Sequence, residues 1–286
     1  MHPDLKPIIA LLRETAAAEI MPRFHHARAS QKADGSLVTE ADLGVQRRIE
    51  SALAQEFPGV PLLGEEMTAA GQEQLLGAAG RAVWVLDPLD GTSNYACGFP
   101  GFSISLALIE GGAPVLGAIL DPVRDECFCA LRGRGAYLDG EPIRPFAPGP
   151  GLGDCLAAID MKRLPPERVP ALLRRGGFRS QRNLGSVALE WCWLAAGRFQ
   201  LYLHGGQKLW DYAAGRLIAT EAGVPSRLYR KNGAAPAEGL DLGQRLAVAA
   251  ANEALLERWL AFIQLPLTPE AVRLSRAERV QAGPVA

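Results

Sequence analysis

Between residues 102 and 138 the chain runs through four strand-length apolar segments with very little sequence between them. Residues 102–110, 114–121, 126–131 and 135–138 are separated by Gly-Gly, Pro-Val-Arg-Asp and Gly-Arg-Gly. Turns this short leave no chain for a crossover helix, so consecutive strands must pair antiparallel. The block therefore predicts an antiparallel meander, around which the rest of the chain has to pack.

The flanks supply both helices and further strands. Leu5, Ile8, Ile9, Leu12, Ala16 and Ile20 recur at helical spacing and predict an amphipathic helix over 4–21. A turn-rich stretch from His25 to Gly35 follows. Thr39 or Asp42 opens a second helix to Glu56, with Val45, Ile49, Leu53 and Phe57 on one face and Pro58-Gly59 as its stop. Short buried strands are predicted at 60–63 and 82–86. A Pro/Gly-rich link at 145–153 joins two halves. Beyond it, strands are predicted at 155–159, 199–204 and 246–250, and helices at 166–175, 186–196, 210–222 and 253–263. This mixture is α+β or layered α/β. The expected unit is a single domain over 1–265, followed by a tail at 266–286 with a short helix at 269–279.

Composition narrows the partners. With Lys+Arg 30 against Asp+Glu 31, the formal charge is −1 and no global basic field invites nucleic acid. No apolar run approaches the roughly 20 residues that span a bilayer. The N-terminus, with Asp4 and Lys6, lacks a secretory pattern, so a cytoplasmic protein without membrane attachment is expected. Cys97, Cys127, Cys129, Cys155 and Cys192 are odd in number and lie mostly in apolar segments. Cys127 and Cys129 share one face of a strand, which suits buried free thiols better than a disulfide.

The chemistry is concentrated in Trp84-Val85-Leu86-Asp87-Pro88-Leu89-Asp90-Gly91-Thr92. An apolar strand there delivers two carboxylates at its end, and Pro88 stiffens the turn between them. Gly91 admits a close ligand, and the amides of Gly91, Thr92 and Ser93 are placed to form an anion-binding nest. Oxygen ligands at this density suit Mg²⁺. Three further acidic motifs accompany it: Lys32 to Asp42 with Thr39-x-x-Asp42, Gly64-Glu65-Glu66, and Trp210-Asp211-Tyr212-Ala213-Ala214-Gly215. Each has a bland reading as an acidic turn, a capping box or an N-cap.

Taken in order, the four motifs resemble the inositol monophosphatase family of lithium-sensitive, magnesium-dependent phosphatases, over about 32–250. The resemblance extends to Asn94-Tyr95 and Phe99-Pro100, which follow the central motif. It implies an α-β-α-β-α sandwich of the inositol monophosphatase/fructose-1,6-bisphosphatase type, a homodimer, and two to three Mg²⁺ per site. The implied ligands are Glu65, Asp87 and the Leu89 carbonyl for one ion, and Asp87, Asp90 and Asp211 for a second. A third ion would use Glu65 and water. Asp42, Thr92 and Glu65 are implied to orient and deprotonate the attacking water, and Gly91, Thr92 and Ser93 to hold phosphate oxygens. Asp90, Gly185, Ser186, His204 and Asp211 are expected on the substrate side.

The reaction implied is in-line attack of metal-activated water on a small phosphate monoester, an inositol phosphate or related sugar phosphate. Many inositol-hydrolysing members carry Glu seven residues before the Trp-Asp aspartate, where this chain has His204. With Lys208, His204 opens the alternative of a second anionic group, as in a 3′(2′),5′-bisphosphate nucleotide or fructose 1,6-bisphosphate. The other reading of His204 is a solvent-facing rim residue, and Arg182 is either a pocket cation or a surface charge. A non-catalytic, metal- or phosphate-binding regulator is the remaining alternative.

Overall fold

The computed structural model describes residues 5–32, 35–77, 82–231, 235–237 and 239–265. The helix expected at 269–279 lies outside them. The meander forms as expected and grows into a seven-stranded sheet. Its strands, in spatial order, are Leu62–Gly64, Val83–Asp90, Ser103–Glu110, Ala113–Asp121, Glu126–Leu131, Ala136–Leu138 and Glu141–Pro142. The first pair is parallel and the others antiparallel.

Both faces of this sheet are covered, which is why its strands read as continuous apolar runs. Trp84, Leu86, Ile104, Leu106 and Leu120 point to one face, where they meet Ile8, Leu12, Val45 and Ile49 of helices Leu5–Thr15 and Glu40–Glu56. Val83, Val85, Ala107 and Ile119 point to the other, against helices Val187–Ala195 and Leu209–Glu221. Those two helices also cover a five-stranded sheet, ordered Ser180–Arg182, Leu156–Asp160, Leu201–Gln207, Arg245–Ala250, Ser226–Arg230. Its outer face (Ala157, Ile159, Leu203, Val248) packs on Leu255, Leu256 and Trp259 of helix Glu253–Ile263. The layers therefore run α-β-α-β-α.

The central helix Leu209–Glu221 sits unusually close to its neighbours. A Cβ on Gly117 would lie 2.8 Å from the Ala214 carbonyl oxygen, and one on Gly215 would lie 2.6 Å from Trp191 Cβ. The run Ala213-Ala214-Gly215 thus sets how deeply this helix, and Asp211 at its start, is seated between the sheets.

Departures from the sequence reading have local causes. The first helix ends as α-helix at Thr15, widens into a π turn at Ala16–Ile20, and closes in a 3₁₀ turn around Pro22. The helix expected at 166–175 shrinks to a 3₁₀ turn, Pro166–Arg168, and one turn, Val169–Leu172, in a stretch carrying Pro165, Pro166 and Pro170. Strands Ala29–Gln31, Leu37–Thr39, Ser180–Arg182 and Ser226–Arg230 and helix Ala69–Gly77 were not expected. The four strands are short or lie at sheet edges, where apolar alternation is weak. Cys127, Cys129, Cys155 and Cys192 are buried free thiols and Cys97 is exposed. Among the described residues no helix is long and apolar enough to cross a membrane.

Candidate active site

Asp87 and Asp90 share a place because their strand bulges. Asp87 pairs with Ser105 and Asp90 with Ser103, so three steps on one strand answer two on its neighbour. In a regular strand, residues three apart point to opposite faces. The extra residue at Pro88-Leu89 cancels that alternation and turns both carboxylates towards the central helix pair. Pro88 is tolerated there because a bulge interrupts the ladder. Gly91 then takes φ +93°, and a Cβ on it would lie 2.7 Å from the Gly101 carbonyl oxygen, so the turn into helix Thr92–Ala96 needs glycine.

The other acidic groups arrive from neighbouring elements. Strand Leu62–Gly64 lies parallel to the Asp87 strand, and the Glu65 amide donates to the Leu86 carbonyl at 3.1 Å, which sets Glu65 beside Asp87. Asp42 stands at the third position of helix Glu40–Glu56, where its Oδ2 accepts from Thr39 N (2.7 Å) and Thr39 Oγ1 (2.6 Å). Its Oδ1 lies 3.4 Å from Thr92 Oγ1, which also lies 3.0 Å from the Leu89 carbonyl oxygen. Thr92 has one hydroxyl proton for two acceptors, and the shorter contact directs it at Leu89. Asp211 opens helix Leu209–Glu221, with Oδ2 accepting from Lys208 N at 2.8 Å.

Asp90 is the most firmly held of the group. Ser186 Oγ donates to its Oδ2 at 2.5 Å, as does Ala188 N at 2.8 Å, and Val187 N donates to Oδ1 at 3.2 Å. The start of helix Val187–Ala195 thus clasps the carboxylate, a favourable place for negative charge. Ser186 also caps that helix through Leu189 N. We expect Ser186→Ala to lower kcat/KM about tenfold and stability by about 1 kcal/mol, since one charge-assisted bond and one cap vanish together. Activity and melting measurements that matched the parent chain would refute this role.

Electrostatics place the carboxylates in one neighbourhood. Burial pushes the Asp87 pKa well up, and the charges of Glu65, Asp90, Asp211 and Asp42 push it further. Burial likewise raises Asp90 to about 6, against the pull of Ser186, Ala188 and Val187, while Glu65 adds to the rise. Asp211 is raised well above the usual carboxylate range by burial, then by Asp90 and Glu65. Such crowding of like charge is the condition a divalent cation relieves, and every donor is a hard oxygen. The donor chemistry therefore fits Mg²⁺.

The arrangement is a neighbourhood rather than a closed cage: among the described residues, no three acidic, imidazole or thiolate side chains form a ready coordination shell. The hydrogen bonds explain this. Lys32 Nζ draws Glu65 aside, at 3.0 Å, while also holding Glu66 at 2.6 Å. Both Asp90 oxygens and one Asp211 oxygen are taken up by N–H and O–H donors.

Sequence reasoning assigned no role to Lys32, although it lies in the Thr-x-x-Asp segment and is one of only five lysines. Nor did it assign one to the Asn94 side chain, whose Nδ2 donates to the carbonyls of Gly101 (2.5 Å) and Leu184 (2.6 Å), tying two loops across Gly91.

The substrate-side expectations divide. Gly185 and Ser186 lie against this neighbourhood, with the Gly185 carbonyl 3.3 Å from where a Gly91 Cβ would be. His204 is not a rim residue. It is 1% exposed, with Nε2 3.4 Å from Asp160 Oδ2 and 3.4 Å from Arg163 Nη1. Burial lowers its pKa despite Asp160, so it brings no reliable positive charge. Lys208 Nζ lies 5.8 Å from the Trp210 ring centre. Arg182 is exposed and bonds its own strand at Ser180 Oγ and the Gln181 carbonyl.

The model of the inositol monophosphatase family matches residues 2–264. The chain belongs to that family. As a member it is a phosphoric monoester hydrolase. Inositol monophosphatase 1 of Solanum lycopersicum is 35% identical over 260 residues, spanning 87% of this chain and 91% of the tomato protein. An IMPase of Thermotoga maritima superposes with a TM-score of 0.77 at 27% identity, covering 94% of this chain and 98% of its own. An IMPase/NADP phosphatase complexed with Mg²⁺ and phosphate superposes at 0.71 and 25% identity, covering 90% and 91%. The family thus shares the five-layer architecture seen here.

Proposed function

We propose that this chain hydrolyses a small sugar- or nucleotide-type phosphate monoester with Mg²⁺ held by Glu65, Asp87, the Leu89 carbonyl, Asp90 and Asp211. The observation that carries the reading is the convergence of carboxylates from separate segments beside the Gly91 turn, Asp42, Asp87 and Asp90 buried and Glu65 and Asp211 half-buried, each close enough to feel its neighbours' charge. A structural relative complexed with Mg²⁺ and phosphate supports a metal-dependent phosphatase. Bound there, the ions would neutralise the phosphate dianion and acidify water.

The chain's own groups orient the reaction. The amides of Gly91, Thr92 and Ser93 open a short helix, where amides lack intrahelical partners and suit phosphate oxygens. Thr92 Oγ1 offers a lone pair to a proton of the attacking water. When Thr92 turns its own proton from the Leu89 carbonyl to Asp42 Oδ1, a relay from water to carboxylate is complete. Burial raises the Asp42 pKa, which makes it a better proton acceptor than an exposed aspartate. The water oxygen bonds phosphorus, the ester P–O bond breaks, and the departing alkoxide takes a proton from solvent, giving an alcohol and inorganic phosphate while Asp42 returns its proton to bulk water.

Inositol 1-phosphate is not the favoured alcohol ester, because His204 stands where a hydroxyl-binding Glu is expected and is buried against Asp160. We expect phosphate release from a panel of sugar phosphates and nucleotide bisphosphates in Mg²⁺, and none above background in a chelator. No release from any of them by folded protein, or full release in chelator, would overturn the reading.

A further inference from the structure

Helix Val187–Ala195 carries one charged side chain, Glu190, and buries it among apolar neighbours. A carboxyl is costly to bury unless its oxygens are bonded, so its partners show what it is for. The partner lies outside the core. Glu190 Oε1 accepts from the Leu184 amide at 2.8 Å, in a segment where Arg182, Asn183 and Gly185 are exposed and Leu184 is half-buried. The other backbone polar group of Leu184 is held as well, its carbonyl accepting from Asn94 Nδ2 at 2.6 Å. Leu184 is thus clamped from two sides, by the helix that clasps Asp90 and by the short helix that follows Gly91.

Three contacts tie this clamp to the active site. Gly185 takes φ +73°, and a Cβ on it would lie 2.9 Å from Asn94 Nδ2, so the segment passes Asn94 at a distance that glycine alone allows. The Gly185 carbonyl oxygen lies 3.3 Å from where a Gly91 Cβ would be. Ser186, next along the chain, donates to Asp90 at 2.5 Å, and its own carbonyl accepts from Glu190 N at 3.1 Å. Ser186 and Glu190 therefore stand one helical turn apart on one face. The first grips Asp90, and the second grips the segment that leads into Ser186.

Resting on the phosphatase reading above, we propose that Glu190 is a positioning residue: with the Asn94 amide it fixes the Leu184 backbone, so that Gly185 walls the Gly91 turn and Ser186 meets Asp90. Glu190 acts through Leu184 and not on the reacting atoms.

Glu190→Gln and Glu190→Leu separate an acceptor oxygen from the mere filling of space. Both are compared with the parent chain at about pH 6.5, below the value of about 8 to which Glu190 is raised. The readouts are kcat/KM on the ester that the parent turns over fastest in the panel above, and the Mg²⁺ Kd from the dependence of melting temperature on Mg²⁺. Gln keeps an oxygen for the Leu184 amide and should stay within about twofold of the parent in both. Leu should lower kcat/KM about tenfold or more and weaken Mg²⁺ binding about threefold or more, because Asp90 loses a fixed Ser186. A purely structural loss would lower melting in chelator and leave the Mg²⁺ Kd of the folded protein unchanged. Asn94→Ala acts on the same backbone, so Glu190→Leu/Asn94→Ala should fall within about threefold of the worse single variant and not show the product of two losses. If Glu190→Leu does not fold, Gly185→Ala displaces the segment from the other side, through a Cβ against Asn94, with the same expected losses. Parental kcat/KM and Mg²⁺ Kd in Glu190→Leu or, failing that, in Gly185→Ala overturn the positioning role. Equal losses in Gln and Leu, or multiplicative losses in the double variant, overturn it too, while turnover by the parent leaves the phosphatase reading standing. No turnover by the parent on any ester overturns both.

Discussion

Asp87→Asn is expected to lose at least about a thousandfold in kcat/KM, roughly 4 kcal/mol of transition-state stabilisation, yet to melt higher than the parent chain in chelator. The two effects have one origin. Asp87 is 2% exposed and feels repulsion from Glu65, Asp90, Asp211 and Asp42. An asparagine has the same shape, and its Oδ1 still accepts from Leu89 N, a contact of 3.1 Å here. Removing the charge therefore relieves the crowding without opening a cavity. In Mg²⁺ the order should reverse, because ligand binding to the native state raises stability only where affinity survives. Thermal melts with and without Mg²⁺, beside phosphate release, check both halves. If the variant kept parental turnover, or melted lower than the parent in chelator, Asp87 would not be the centre of a frustrated anionic site.

Much of this was legible in the sequence because the signals were local. The meander announced itself through turns too short for any other connection, and of the two residues that capping chemistry offered for the helix start, Thr39 is the cap and Asp42 its capping-box partner. Asp87 and Asp90 were recognisable as a pair from their spacing and from the intervening proline. The bulge that turns both to one side emerges only from register against Ser103 and Ser105. What escaped were relations between distant segments. Lys32 meets Glu65 and Glu66 across 33 and 34 positions, and Asn94 reaches Leu184 across 90. His204 left two readings open, a pocket group for a second anion and a solvent-facing rim group, because nothing in its local sequence fixes its surroundings. It is buried, facing Asp160, which is paired in register with it on the adjacent strand. A titratable group's environment is a tertiary property, so its type and spacing leave the charge state open.

Glu190 makes that point testable, and Glu190→Gln is expected to stabilise the protein in alkaline buffer. The side chain is 1% exposed on helix Val187–Ala195, with Oε1 accepting from Leu184 N at 2.8 Å. Its pKa is pushed up to about 8, first by burial and then by the charges of Asp90 and Asp160, against the pull of the Leu184 and Gly185 amides. An unfolded glutamate titrates near 4.5. The native chain therefore holds a proton here that the unfolded chain has lost, throughout the window from about pH 4.5 to 8. The resulting stability is fully present below that window, declines as pH rises through it, and is gone above it. The loss is on the order of 2–4 kcal/mol once relaxation around the buried charge is allowed for. Glutamine retains the acceptor oxygen for Leu184 and has no proton to lose. Above pH 8 the variant should then melt about 5–10 °C higher than the parent chain, and at pH 5 the two should coincide. Melting curves for both proteins from pH 5 to 9 decide it. Parallel pH profiles would mean that Glu190 is already ionised in the fold, and that the Leu184-Gly185 loop beside Asp90 is held by a charge rather than by a neutral acid.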